Sequence, residues 1–342
     1  MKIGVLTGGG DCPGLNAAIR AIYIRATELG HEVVGIEEGW KGLMEAKARR
    51  LTRDEVDAAF KDGGTILFTS RTNPYKKDGG EKAALAGFKK LGLGALIPIG
   101  GEDTLGVAQK LTKAGLPCVA VPKTIDNDLD ATDTTIGFDT AVSIAMDAID
   151  RIHTTTRSHH RCAVVEVMGR HAGWMTFISG LGGGAHVILI PEEPFDIEEV
   201  CKIVLDRKAK GKGYTLVAVA EGALPKDANV FVTKTDKLDE FGHVMLGGIG
   251  DALAKEIEQR TGVTTRATVL GHLQRGGSPT VYDRVLGLKL GYRAVEAVHN
   301  KEFGKMIAMK GTKAVPVPLE EAVGKLKTVS KEEYKMARSF FG

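Results

Sequence analysis

At 342 residues the chain buries a large core, and two α/β domains are expected rather than one. Its 46 basic and 43 acidic residues leave a net charge of +3, which excludes bulk electrostatic attraction to nucleic acid or to a membrane surface. No apolar run approaches the roughly 18 residues that span a bilayer. The chain opens directly on Ile3-Gly4-Val5-Leu6 without a charged, cleavable leader, so a cytoplasmic protein is expected.

In chain order one theme repeats: a short apolar run ends in a polar turn and leads into a helix-like segment. Lys2–Thr7 runs into Gly8-Gly9-Gly10-Asp11, with Pro13 expected to start a helix. Ala95–Ile99 runs into Gly100-Gly101-Glu102-Asp103-Thr104, and Cys118–Val121 into the turn Lys123–Asp128. Cys162–Val167 leads to Met168-Gly169-Arg170-His171. Val187–Ile190, Thr215–Ala220 before Glu221-Gly222, and Ala267–Leu270 are further strands. Val230–Lys234 and Leu238–Met245 alternate like a hairpin, and Lys325–Gly342 reads as a charged tail or terminal helix. Near-continuous apolar strands alternating with helices imply parallel sheets covered on both faces, with ligands at the carboxyl ends of the strands. The 44 glycines exceed the usual share of about 7% and cluster at those ends, where backbone meets ligand. Cys12, Cys118, Cys162 and Cys201 have no metal-ligand spacing and are expected as buried thiols. His159-His160 lacks zinc partners, and Trp40 and Trp174 read as packing residues.

Three turns carry chemistry. Gly8–Gly14 suits a phosphate cradle, although Pro13 breaks the dinucleotide fingerprint and no Gly-Lys-Ser/Thr ends a P-loop; a plain strand-to-helix turn explains it equally well. Glu102 and Asp103 would repel a bare phosphate and make sense with a magnesium ion between; helix capping by Asp103 or Thr104 is the alternative. In the turn Lys123-Thr124-Ile125-Asp126-Asn127-Asp128, the two aspartates suit a base and a metal partner. Asx-turns would account for residues 126–128 but not for Lys123 and Thr124 beside them. Arg71, Arg161, Arg170, His272 and Arg275 recur near strand ends, where arginine forks suit phosphate oxygens and surface ion pairs are the bland alternative.

With Gly9-Gly10-Asp11-Cys12-Pro13-Gly14, Gly100-Gly101-x-x-Thr104, Thr124–Asp128, Met168-Gly169-Arg170 and Gln274-Arg275-Gly276-Gly277 in order, the chain resembles the 6-phosphofructokinase family over nearly its whole length. The resemblance implies two Rossmann-like α/β domains, with mainly parallel sheets covered by helices and the active site in the cleft between them. It implies a phosphoryl-donor domain at 1–137 plus about 274–309, and a fructose 6-phosphate domain at 138–273 plus about 310–342. Asp126 would be the general base toward the C1 hydroxyl, with Thr124 and Asp128 completing the reaction centre. Arg71 and Arg170 would stabilise the transferring group, and Glu102, Asp103 and Asp128 would hold Mg2+. Gly10, Arg71, Asp103, Thr104 and Lys123 would bind the donor. Arg161, Met168, Gly169, Glu221 and Arg266 would hold the sugar phosphate, with His272 and Arg275 on its 6-phosphate. In the family Arg161 and Arg266 come from a neighbouring subunit, so at least a homodimer is implied.

The donor turns on Asp103 and Lys123, where ATP-dependent members usually carry glycine; the pair resembles the pyrophosphate-dependent branch. A carboxylate at 103 would lie where the α-phosphate of ATP must sit. Like charges about 4 Å apart cost about 1 kcal/mol in water and about 4 kcal/mol at an effective dielectric of about 20. Pyrophosphate ends at its second phosphorus, and Lys123 would pair with it. The expected reaction is reversible transfer to fructose 6-phosphate, giving fructose 1,6-bisphosphate. An ATP-dependent phosphofructokinase and a noncatalytic sugar-phosphate-binding subunit are the alternatives; the intact Asp126, Asp128 and Arg170 argue against the last. Glu102 replaces the family's more common aspartate. Ile24 and His153 replace effector-site arginines while Arg20 and Lys212 remain, so weak or absent effector control is expected.

Overall fold

A computed structural model describes residues 1–227 and 248–342. The expected hairpin strands at Val230–Lys234 and Leu238–Met245 lie outside the described residues. The described chain divides into two units. The first comprises Met1–Ile125, Leu129–Thr140 and Arg275–Leu326; the second comprises Asp126–Asp128, Ala141–Gln274 and Lys327–Gly342.

The first unit is built on seven strands in the order Lys313–Pro318, Lys305–Lys310, Val119–Pro122, Ala95–Gly100, Lys2–Thr7, Glu32–Ile36 and Ala48–Arg50. The inner strands run parallel, with Ile3 opposite Ala95 and Thr7 opposite Ile99. Every residue of Ala95–Gly100 is buried, as a strand covered on both faces requires. Both outermost strands are antiparallel. One of them moves the expected domain limit. Lys305–Lys310 turns back through Gly311, at φ 58°, into Lys313–Pro318, and the chain stays in the first unit until Leu326, beyond the expected limit of about 309. Leu6, Ile36, Trp40, Leu43, Leu96, Leu105 and Leu111 form the core on one face. The helices Leu15–Glu28 and Val281–His299 pack so closely that a Cβ on Gly291 would lie 2.5 Å from the Ala18 carbonyl. Pro13 does not start the first of these helices. Gly14, at φ 105°, is its cap, and that left-handed backbone leaves Pro13 in the preceding turn.

The second unit carries four parallel strands in the order Val187–Leu189, Thr215–Ala220, Cys162–Val167 and Thr265–Val269. The two inner strands are wholly buried. Thr265–Val269 reads as polar because it is an edge strand, and its run begins two residues earlier than the apolar pattern suggests. The terminal segment forms the helix Lys331–Arg338, started by a reciprocal Ser330–Glu333 capping box. The Tyr334 hydroxyl ties this helix to the Ile188 carbonyl at 2.7 Å. The helix Phe138–Ser158 carries the chain from the first unit into the second. All four cysteines are free and buried, and burial pushes the Cys12 and Cys162 thiols up to about 12. Among the described residues no helix is long and apolar enough to cross a membrane.

Candidate active site

In the first unit the strand Lys2–Thr7 delivers Gly8–Asp11 beside the end of Ala95–Gly100, with Gly8 N donating to Ile99 O at 3.0 Å. Thr104 is buried between the two glycine turns, and a Cβ on Gly8 would lie 2.5 Å from its hydroxyl. The threonine thus sets how closely the turns approach. The helix Glu102–Lys113 starts from Gly101 with no side-chain cap, so neither Asp103 nor Thr104 caps it. Glu102 and Asp103 stand exposed in its first turn.

Lys123 is 3% exposed, and its ammonium donates to the carbonyls of Gly8 at 2.9 Å and Gly10 at 2.5 Å. A cation therefore sits directly against the glycine turn. Arg275 donates to Asp11 O at 3.2 Å, and a Cβ on Gly10 would lie 2.6 Å from its guanidinium. Arg275, expected with His272 on a sugar 6-phosphate, touches the glycine turn and lies one residue past the limit of the second unit, which contains His272. Thr69 Oγ1 donates to Gly9 O at 2.5 Å, and Arg71, two residues on, is exposed. Lysine and arginine side chains thus stand against a glycine turn, a set of groups whose chemistry suits an anion.

Asp283 fastens the chain at Gly137 and Thr140, a role with no signature beyond its place three residues after Thr280. Buried in the helix Val281–His299, it accepts from Gly137 N and Thr140 N, both at 2.8 Å, and from Thr140 Oγ1 at 2.5 Å. Burial raises its pKa and these hydrogen bonds oppose the rise. Two residues before Gly137, Thr135 Oγ1 donates to Thr124 O at 2.6 Å. The carboxylate thus helps hold the stretch that supports Thr124.

In the second unit Glu221 follows the strand Thr215–Ala220, and its carboxylate accepts from Gly169 N at 3.4 Å. Burial raises its pKa most; the Gly169 bond and Arg170 lower it, and the charge of Asp126 raises it further. Asp126, Gly169, Arg170 and Glu221 thus share one electrostatic neighbourhood. A Cβ on Gly222 would overlap the Arg170 carbonyl, so a glycine is needed there. Met168 N donates to Oε1 of the buried Gln274 at 3.3 Å, while His272 is exposed in the short turn Gly271–Arg275. Asn127, 6% exposed and at φ 51°, lies between Asp126 and Asp128. Lys327, which the sequence reading missed, donates its ammonium to Asn127 Oδ1 at 3.1 Å and its backbone N–H to Asp128 O at 2.8 Å.

The phosphofructokinase family model matches residues 2–298. The chain belongs to the phosphofructokinase family. A pyrophosphate–fructose 6-phosphate 1-phosphotransferase of Amycolatopsis methanolica is 55% identical over 343 residues, covering 100% of both chains. An ATP-dependent 6-phosphofructokinase 2 of Streptomyces coelicolor is 50% identical over 342 residues, again covering 100% of both. The crystal structure of Pichia pastoris phosphofructokinase in the T-state matches with a TM-score of 0.83 at 31% identity, over 99% of this chain and 36% of that one.

As a phosphofructokinase the chain is a phosphoryl-transfer enzyme with two Rossmann-like α/β units. Two expected residues stand apart from the strand-end turns. Arg161 precedes the strand Cys162–Val167, and Arg266 lies level with Ala163 near the amino end of its own strand. At about 3.3 Å per residue, Arg266 sits roughly 17 Å and Arg161 roughly 23 Å along the sheet from the Met168 turn. Arg266 is exposed and pairs with Glu258 at 3.5 Å. At the effector-site positions, Arg20 pairs with Asp57 at 2.6 Å. His153 shares a 2.7 Å hydrogen bond with Tyr214.

Proposed function

We propose that this phosphofructokinase transfers a phosphoryl group reversibly from pyrophosphate to the C1 hydroxyl of fructose 6-phosphate. The observation that carries the reading is the pairing of an exposed Asp103 at the start of the helix Glu102–Lys113 with a buried Lys123 against the Gly8–Gly10 turn. Lys123 and the turn amides attract the two phosphates of pyrophosphate. The Asp103 carboxylate opposes the third phosphate that a nucleoside triphosphate would bring, by about 1 to 4 kcal/mol depending on local dielectric.

Asp126 takes the proton of the C1 hydroxyl as that oxygen attacks phosphorus. Arg170, beside it in the second unit, and Arg71 stabilise the charge of the transferring group. Glu221, Met168, Gly169 and His272 orient the sugar phosphate. The chain itself links the donor and acceptor residues, since Thr124 and Asp126 are two residues apart.

The carboxylates fit Mg2+. It takes one or two protein carboxylates plus phosphate oxygens, so the exposed Glu102–Asp103 pair suits it although no group of three ligands stands among the described residues. Glu102, Asp103 and Asp128 would hold the ion, which neutralises charge on the phosphates when bound. Arg161 and Arg266, at the far ends of their strands, serve a neighbouring subunit, which makes the enzyme at least a homodimer.

The test is fructose 1,6-bisphosphate formation with magnesium and either pyrophosphate or ATP as sole donor. Turnover with pyrophosphate alone is expected. The double change Asp103→Gly, Lys123→Gly should then shift preference toward ATP by at least about tenfold, the equivalent of about 1.4 kcal/mol. Turnover with ATP alone, the reading that the Streptomyces coelicolor relative favours, would overturn the donor assignment.

A further inference from the structure

The turn that carries the proposed base is held by a residue 200 positions away. We propose that Lys327 is a positioning residue for phosphoryl transfer, acting through Asn127 to fix the orientation of Asp126 and Asp128. The proposal rests on the reading of Asp126 as the base.

Asn127 has a positive backbone φ of 51°, a region uncommon for L-residues that asparagine enters more readily than most. Because it lies between the two aspartates, any relaxation of its backbone rotates both carboxylates. Its amide oxygen accepts from the Lys327 ammonium at 3.1 Å, while the next carbonyl, of Asp128, accepts from Lys327 N at 2.8 Å. One residue therefore grips the turn twice, once through its side chain and once through its backbone.

Lys327 is itself anchored on the far side. Trp174 Nε1 donates to its carbonyl at 2.9 Å. Two residues later, Val329 N donates to Glu192 Oε1 at 2.9 Å, and the same carboxylate accepts from Gly173 N at 2.9 and 3.1 Å. Gly173 and Trp174 follow Arg170 by three and four residues. The segment 327–329 thus runs between the turn bearing the base and the chain leading from the arginine, and sets one against the other. The segment contributes backbone groups to these bonds, the Lys327 carbonyl and the Val329 N–H, and the Lys327 ammonium adds the bond to Asn127 Oδ1. That division makes the side chain's role separable from that of the strap.

Lys327→Met removes the grip and keeps the strap. It should lower kcat by about 10- to 100-fold, as small misplacements of reacting groups do, and leave KM for fructose 6-phosphate within about threefold. Lys327→Arg should restore most of the loss. Amide exchange across 124–130, measured without any donor, should rise by about tenfold in Lys327→Met. With Asn127→Gly already present, Lys327→Met should cost no more than about a further twofold. Unchanged kcat and exchange in folded Lys327→Met, or losses that multiply in the double variant, would overturn the proposal. If the methionine variant does not fold, Lys327→Gln is read by the same measures. Exchange needs no substrate and kcat is compared with wild type on whichever donor works, so a wrong donor assignment leaves this test intact.

Discussion

Glu221, proposed to orient the sugar phosphate, is a half-buried carboxyl whose ionisation also bears on stability. Burial is the largest influence on it and raises its pKa, with the Asp126 charge adding to the rise. An acid whose folded pKa lies above its unfolded value binds more protons when folded. Its contribution to stability is therefore most favourable below the unfolded pKa and is lost as pH rises through the folded one. Glu221→Gln removes this dependence. The thermal midpoint of the variant relative to wild type should accordingly rise between about pH 4, near the ordinary carboxyl value, and about pH 7, while turnover falls because the charge-assisted bond from Gly169 N becomes a weaker neutral one. A difference in midpoint that stays flat with pH would show that the carboxyl ionises as easily folded as unfolded.

The element that most constrains the first unit is the crossing of the helices Leu15–Glu28 and Val281–His299. Gly287 and Gly291 permit it: Cβ atoms there would lie 2.9 Å from the Gly14 carbonyl and 2.5 Å from the Ala18 carbonyl. Since the obstacle is backbone, no rotamer relieves it. Gly291→Ala should cost about 1–3 kcal/mol, read as a lower denaturation midpoint with an unchanged slope. The loss should spread beyond stability, because Val281–His299 also carries Asp283, which holds Gly137 and Thr140. A variant as stable as wild type would mean that the helices separate without resistance. The edge strands matter in another way: Pro316 and Pro318 on Lys313–Pro318 each remove a donor from an outer strand.

For the whole molecule, the decisive arrangement is that Arg161 and Arg266 sit toward the amino ends of strands whose carboxyl ends carry the residues proposed to hold the sugar phosphate. If each arginine serves a neighbouring subunit, inactive Asp126→Asn and inactive Arg161→Ala chains should complement. In a random mixture of two-site dimers, half the dimers are hybrids with one intact site. Activity should therefore return toward about a quarter of wild type after mixing and reassociation. No recovery from mixtures shown to form hybrids would place Arg161 in the site of its own chain, or outside the chemistry altogether.

The apolar runs before each turn were legible because a strand covered on both faces must be apolar throughout, and the glycines and charges after them because ligand-facing turns tolerate little else. Hence Asp126, Arg170, Glu221 and the Gly8–Gly10 turn were all readable as a local pattern. The packing of Lys123 against carbonyls of Gly8 and Gly10 was not, nor was Asp283 beneath Gly137, because each bond joins residues more than 100 positions apart. Polar edge strands hide for a related reason: with one face in solvent they lose the apolar signal that marks their neighbours. Lys327 looked like one more charge in a charged tail. By itself the sequence determined which apolar runs are buried and where the backbone turns after them, since both are written in side chains near in the chain. Only the tertiary structure decided which distant donor meets which acceptor, because that choice is made by packing rather than by local preference.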